Sequence, residues 1–346
     1  MRIDQLTFTR FIAAIAIVFF HFGKTISPLN NKAISFVFEK ANLGVSYFFI
    51  LSGFVMIIAY KNKKKIHVLD YLKNRFARIY PIYLLALLLL VLYYFLINKT
   101  VNYKSFLYNI TMLQAWRPGR AISLNFPAWS LSVELFFYAL FPMLFNKFYK
   151  KFSFTKNAFW IIVIFIASQI ILHVLLYSSF YKGYPSRSHD FIFYFPLMHL
   201  NEFLLGNLAG LYFLTYKKPK NYNWQIIILI VLLLFALKFK TSINYHNGML
   251  AFIFVPLIIL ISANKSKITE FFKHKTLIFL GEISFGLYIL QVPIFKSSYM
   301  VLNYVGVKKP IVLFSLSLVL LIIISALSFK YIESPLRKKI RNLKLK

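Results

Sequence analysis

Apolar residues in this chain fall in blocks rather than in alternation. Runs such as Phe159 to Ala167 and Ile226 to Leu237 are unbroken. They exclude a membrane barrel, whose strands of about ten residues alternate in polarity, and they suit α-helices, which satisfy their own backbone in hydrocarbon. The pattern predicts about ten spans, residues 6–22, 44–60, 80–97, 128–146, 158–180, 194–214, 224–239, 247–263, 277–297 and 310–331. The longest polar insertions, 98–127 and 181–193, are short for independent domains. In the first, Tyr103, Phe106, Leu107 and Ile110 recur at helical spacing and predict an interfacial helix. No internal repeat or long linker is visible. The expected fold is all-α, a polytopic transmembrane helical bundle with 1–346 forming one integral-membrane domain and no fused extracytoplasmic domain.

Composition agrees and adds an orientation. Of the 346 residues 60% are hydrophobic and 19% aromatic, which leaves no room for a large soluble domain. The formal charge of +32 is carried mainly in short loops, where the positive-inside bias and anionic headgroups account for it without nucleic acid. The larger share of the basic residues falls on the side of the two ends, so both termini are expected to be cytoplasmic. Residues 61–79, 147–157, 215–223 and 264–276 then form cytoplasmic loops. The first apolar run holds an internal arginine and lacks a small-residue cleavage site, so no cleavable signal is expected. There is no cysteine, which excludes a thiol nucleophile and disulfides. High lysine, asparagine and isoleucine usage points to a low-GC bacterium, hence to a multi-pass protein of the bacterial cytoplasmic (inner) membrane.

Candidate chemistry is found where charge enters the apolar blocks. Arg10 and His21 lie eleven residues apart in the first span, on one helical face and ~16 Å apart along the axis. Ionisable groups at such depth are costly and by default functional. With nine acidic residues in the whole chain, the span-located Glu134, Glu202 and Glu282 each need a partner. Glu134, in PAWSLSVELFFYALFP, is expected near the depth of His21, where a carboxylate would orient the imidazole and raise its basicity; the alternative is a charge that neutralises a buried base. Arg75 and Arg78, three residues apart before the third span, suit either phosphate binding or membrane anchoring. Ser52 in LSGF reads as a packing position rather than a nucleophile. Trp129, Ser130 and Ser132 are either binding-site residues or interfacial anchors. His189 with Arg187 and Asp190 marks an outer turn or a sugar contact; His199, Asn201 and Glu202 line a polar cavity or satisfy one another; His173 beside Gln169 reads as a polar contact between helices. No trio of ligands has metal-site spacing, so no metal is expected.

At this point the chain resembles the family-3 integral-membrane acyltransferases, which include O-antigen and exopolysaccharide O-acetyltransferases, nodulation-factor acetylases and the membrane part of peptidoglycan O-acetyltransferases. The similarity is carried by Arg10 with His21, by GVSYFFILSGFVM at 44–56, by Arg75 and Arg78 followed by Tyr80 and Pro81, by WSLSVE at 129–134, by EFLLGNLAG at 202–210, by ISFGLYIL at 283–290 and by YIESPLRK at 331–338. It departs at Gln291, where family members often carry histidine. The resemblance implies transfer of an acyl group, usually acetyl, from cytoplasmic acetyl-CoA to a hydroxyl of a cell-surface or lipid-linked glycan. Arg75, Arg78 and Tyr80 would then bind the coenzyme. Arg10 would line the pantetheine path or stabilise developing negative charge. His21 would act as general base or transient acyl carrier, oriented by Glu134. Trp129, Ser130 and Ser132 would face the acceptor. Expected partners are the glycan or glycolipid acceptor, the bilayer and polysaccharide-synthesis proteins. Two readings from other classes stand beside it. A transporter or exporter of glycans or lipid-linked intermediates would be marked by inverted repeats, which are not visible, and a structural partner in a synthesis complex leaves the Arg10 and His21 pairing without a physical account.

Overall fold

The computed structural model describes residues 3–239 and 243–343. Its helices, in chain order, are α1 (Gln5–Val18), α2 (Ser35–Glu39), α3 (Gly44–Tyr60), α4 (Val68–Leu96), α5 (Tyr103–Ile110), α6 (Trp129–Leu144), α7 (Phe154–Tyr177), α8 (Arg187–Tyr194), α9 (Leu200–Tyr216), α10 (Asn223–Lys238), α11 (Ala251–Ala263), α12 (Lys267–Phe271), α13 (Lys275–Tyr304), α14 (Pro310–Ser328) and α15 (Ser334–Asn342). Among the described residues the β-type pairing is one isolated bridge between Lys220 and Asn264. The fold is all-helical, as expected.

Each expected span contains a helix, but among the described residues seven segments are long and apolar enough to cross a membrane: Gln5–Gly23, Ala41–Tyr60, Val68–Leu96, Phe126–Tyr149, Phe154–Tyr177, Lys275–Tyr304 and Pro310–Asn342. The chain is a multi-pass membrane protein. The other three expected spans hold α9, α10 and α11, of 17, 16 and 13 residues. Two of them are short for visible reasons. Pro196 opens a 3₁₀ turn, Pro196–His199, that separates α8 from α9. Asn247 and Gly248 both have positive φ, 56° and 103°, so α11 starts only at Ala251. In the other direction α4 is longer than expected. It starts at Val68 and runs through Pro81, so Arg75 and Arg78 lie on the span helix itself rather than on a separate short helix.

The chain divides into two compact units, one of Met1–Ala13, Leu43–Ile66 and Val133–Gly281, the other of Ala14–Asn42, His67–Ser132 and Glu282–Lys346. In the first unit α3 and α9 cross in intimate contact, and glycine is the reason. A β-carbon on Gly53 would strike the carbonyl oxygen of Phe203, and one on Gly206 the carbonyl oxygen of Ile50. On Gly210 it would come within 2.7 Å of Ile57 Cβ. Small residues at helix crossings are how membrane helices gain packing when no water drives them together. The motifs around 53 and 202–210 are thus halves of one contact. Beside it Phe137 stacks on Phe203 at 4.7 Å between ring centroids, with Phe49 edge-on to Phe137 at 5.2 Å.

The segments between α7 and α11 carry a polar knot in this unit. His199 Nδ1 and Glu202 Oε2 are 2.7 Å apart and buried, while His199 Nε2 donates to the carbonyl of Phe193 at 2.9 Å. His199 and Glu202 thus pair with each other, whereas the Asn201 amide donates to the carbonyl of Met198. Gln169 Nε2 donates to the carbonyl of Asn247, and His173 Nε2 accepts from the backbone of Asn244, a polar contact between α7 and the segment before α11. The 181–193 stretch holds α8, capped by Ser186, rather than a solvated turn, and Asp190 is buried. His246 is half-buried there; desolvation, with His199 and His189 nearby, pushes its pKa down to about 4.

The second unit is tied by aromatic rings and paired hydroxyls. Phe22 stacks on Phe295 at 4.1 Å, Phe19 meets Phe314 edge-on at 5.0 Å, and Ser298 Oγ donates to Ser317 Oγ between α13 and α14 at 2.7 Å. The expected interfacial helix is α5, N-capped by Asn102. Its polar face points inward: Asn109 and Ser105 are buried, whereas Tyr103 and Leu107 are exposed. That orientation suits a lipid boundary, where the apolar stripe faces the acyl chains.

Two outcomes follow. Gly206→Ala must push α3 and α9 apart, and thermal unfolding of the protein in nanodiscs should show a loss of about 1–3 kcal/mol, the range for overpacking a tight core. His246 is neutral when folded and protonates more readily when unfolded. Stability should therefore be full above pH 6.5 and fall as pH drops from 6.5 towards 4, by on the order of 3 kcal/mol in all. His246→Asn should flatten that part of a melting-temperature profile against pH.

Candidate active site

His21 is placed by a break in helical register. The α-helix expected through residue 22 ends at Val18, and Phe19–Gly23 form a π-helical turn with the backbone N–H of Lys24 donating to Phe19. Such turns are rare and frequent at functional sites. The 3.6-residue periodicity that aligned Arg10 with His21 therefore stops short of the histidine. Three phenylalanines precede or follow it, Phe19, Phe20 and Phe22, and Gly23 is needed close by, because a β-carbon there would sit 3.1 Å from the ring of Phe314.

The imidazole is half-buried, and Phe126 packs edge-on at 4.6 Å. His21 Nδ1 lies 2.7 Å from Gln291 Oε1, and Gln291 Nε2 donates to the carbonyl of Tyr288 at 2.6 Å. The direction of the chain can be deduced. A carbonyl oxygen only accepts, so the end of the amide facing Tyr288 is the NH₂ and the end facing His21 is the oxygen. That oxygen in turn accepts only from an N–H. The proton therefore sits on Nδ1, and the Nε2 lone pair is the basic end of the ring. Gln291 is fully buried in α13. Its role was hidden from sequence reading by its identity, since it stood where relatives have histidine. The available signal was a lone amide in the apolar run after Tyr288.

The same unit brings the 125–132 segment to this place. Tyr288 OH donates to the carbonyl of Pro127 at 3.0 Å and lies 2.8 Å from Ser130 Oγ. Asn125 Nδ2 donates to the carbonyl of Ile289 at 3.0 Å. Three bonds thus join this segment to the helical turn that also holds Gln291. Ser130 and Ser132 are buried and Trp129 half-buried. The Ser132 hydroxyl and the Asn125 carbonyl oxygen are buried without a hydrogen-bond partner among the described residues. These two polar atoms await a partner of complementary chemistry, because burying them alone is unfavourable.

Arg75, Arg78 and Tyr80 also belong to this unit. Both arginines are half-buried; Arg75 lies 5.7 Å from the ring of Tyr71. Tyr80 donates to the carbonyl of Ile110 at 3.1 Å and stacks on Phe76, which fixes α4 to α5. Its hydroxyl is thereby engaged in structure.

Arg10 and Glu134 belong to the first unit. Arg10 is half-buried and exerts its charge on Tyr47, whose hydroxyl lies 2.5 Å from Thr9 Oγ1. Glu134 Oε1 accepts from Ser52 Oγ at 3.1 Å and from Tyr138 OH. The hydroxyl of Ser52 is thus a support for the carboxylate, which agrees with reading LSGF as a packing position. The group on His21 Nδ1 is Gln291. Among the described residues no three His, Asp or Glu side chains group to hold a metal.

An acyltransferase-domain family model matches residues 3–330. Among curated proteins, the O-acetyltransferase OatA of Staphylococcus aureus is 27% identical over 362 residues, covering 95% of this chain and 56% of OatA. The acyltransferase MdmB of Streptomyces mycarofaciens is 28% identical over 227 residues, covering 61% of this chain and 57% of MdmB. The chain spans little more than half the length of these relatives. No solved structure matches. With its sequence matched from residue 3 to residue 330, the chain belongs to the acyltransferase family 3.

Proposed function

We propose that this protein is a membrane O-acetyltransferase that moves an acetyl group from cytoplasmic acetyl-CoA to a hydroxyl of a cell-surface or lipid-linked glycan, with His21 as general base, in the bacterial cytoplasmic membrane. The observation that carries the reading is the chain from His21 Nδ1 through the Gln291 amide to the Tyr288 backbone. It leaves Nε2 as the proton acceptor, which is what activation of an alcohol requires.

In this mechanism the acceptor O–H gives its proton to His21 Nε2 as its oxygen attacks the thioester carbonyl carbon. Negative charge gathers on the carbonyl oxygen, and Arg10 is the cation assigned to it. When the carbon–sulfur bond breaks, the imidazolium returns the proton to the leaving sulfur, giving an ester and a free thiol. Gln291 holds the ring and its tautomer throughout. Glu134, fixed by Ser52 and Tyr138, is the carboxylate assigned to the catalytic set. Trp129, Ser130 and Ser132 are assigned to the acceptor. The fit for Ser132 is a buried hydroxyl still able to bond a sugar hydroxyl. For the donor, Arg75 and Arg78 present guanidinium forks one helical turn apart, a geometry suited to phosphate oxygens. A glycan or glycolipid, the bilayer and polysaccharide-synthesis proteins are the partners this function needs.

The reading is tested by free-thiol release from acetyl-CoA by the purified protein in lipid. Wild type should turn over the donor, and His21→Ala should lose about 10²- to 10⁴-fold in kcat while still binding it. Absence of both binding and turnover in wild type, with His21-dependent glycan flux across proteoliposomes, would replace the enzyme by a transporter. A second test concerns Gln291. Replacement by leucine removes the acceptor on Nδ1 and should lower kcat at least tenfold with little change in KM. Replacement by glutamate puts a carboxylate there, raises the basicity of the ring, and should move the acid limb of kcat/KM to higher pH. An unchanged limb in Gln291→Glu would mean that the imidazole does not act as the base.

A further inference from the structure

The C-terminal helix α15 lies beyond residue 330, where the family match ends, and carries Arg337, Lys338, Lys339 and Arg341 with no acidic residue. Free in water such a helix would be repelled by other cations, yet it packs along α4, the helix of Arg75 and Arg78. Lys73, less than one turn before Arg75, donates to the carbonyl of Leu343 at 2.7 Å and pairs with Asp70 at 3.3 Å. This contact seats the end of α15, six residues after Arg337, beside the turn of α4 that leads into Arg75.

The face that α15 turns inward is set by three-residue spacing. Ser334, Arg337 and Ile340 are half-buried, whereas Lys338, Lys339 and Arg341 are exposed. Arg337 is therefore the cation brought to the crossing, and the other three face water or headgroups. The other charges of α4 and of the turn leading into α15 are Lys73, Arg75 and Arg78 as cations, with Asp70 and the buried Glu333 as the carboxylates. Four partly desolvated positive charges against two negative ones leave an excess that solvent screens poorly, since the Lys73 side chain is only 13% exposed. An anion restores the balance. Three guanidinium forks favour one with several oxygens in a plane or tetrahedron, a phosphate ester.

We propose that Arg337 joins Arg75 and Arg78 in one site for an organic phosphate; this rests on the donor reading above, in which the phosphates are those of coenzyme A. The same chemistry is offered by a phospholipid headgroup, and the experiment separates the two. The full chain is placed in phosphatidylcholine nanodiscs, and the Kd values of coenzyme A, 3′-dephospho-coenzyme A and inorganic pyrophosphate are measured for wild type, Arg337→Gln, Arg337→Lys and the exposed control Lys339→Gln. Arg337→Gln should weaken coenzyme A about tenfold or more, the loss of one charge-assisted contact, Arg337→Lys should recover part of it, and Lys339→Gln should stay within about twofold. Thermal unfolding of each variant separates loss of binding from loss of fold. Wild-type affinity retained in Arg337→Gln overturns the proposal and leaves the donor reading standing. Arg337-dependent binding of pyrophosphate without any binding of coenzyme A supports the phosphate site and removes the donor reading. If coenzyme A binding is unchanged while Arg337→Gln loses retained phosphatidylglycerol in native mass spectrometry, the site is a headgroup site and its assignment to the donor falls.

Discussion

A glutamine inside an apolar helix has to find partners for both ends of its amide, because neither lipid nor packed side chains offer any. Gln291 finds them in His21 and in the backbone of its own helix at Tyr288. Much of the second unit follows from that requirement. The imidazole has one tautomer, the π-turn of Phe19–Gly23 has a fixed ring to present, and Phe22 and Phe126 close around it. Tyr288, one turn earlier, holds Pro127 and Ser130, so the segment carrying WSLSVE is attached to the same stretch of α13. Satisfying buried polar groups thus does two things at once: it keeps the helices together and it fixes the tautomer of an imidazole.

The first unit meets the same constraint by different means. Where α3 meets α9 there is hardly any side chain at all, since Gly53 and Gly206 let one backbone lie on the other. Dispersion between close-packed backbones replaces the hydrophobic drive that lipid cannot supply. Polar side chains are gathered instead in and between α7 and α11, where His199 with Glu202, Gln169 with Asn247 and His173 with Asn244 bond in pairs. Burial there makes His246 unwilling to carry charge.

Charge is distributed by the same logic. Lysines at helix ends and loops reach water or headgroups at little cost, and most of the +32 is of that kind. Arg75 and Arg78 of α4 and Arg337 of α15 differ, because packing holds them half out of water. A cation in that position is stabilised by what binds to it, and this is where recognition of phosphate is expected.

The all-helical class, the membrane setting and the place of most helices could be read from the apolar blocks alone, since hydrocarbon admits only structures that satisfy their own backbone. His21 could also be singled out as a candidate, because an ionisable group in an apolar run is costly, whereas Arg75 and Arg78 stayed open between phosphate binding and membrane anchoring. Helix ends were less so. Positive φ at Asn247 and Gly248 and the proline turn at Pro196 shorten two expected spans, and neither changes hydropathy. The start of α4 at Val68, ahead of the expected span at 80, was likewise invisible, because Asp70, Lys73, Arg75 and Arg78 make that stretch read as a loop. Only the tertiary structure decided which group meets His21, that Ser52 supports Glu134, and that the glycines at 53 and 206 face each other. Periodicity reports which face of a helix is buried; which atom on another segment comes to rest against that face is fixed by packing between residues far apart in the chain.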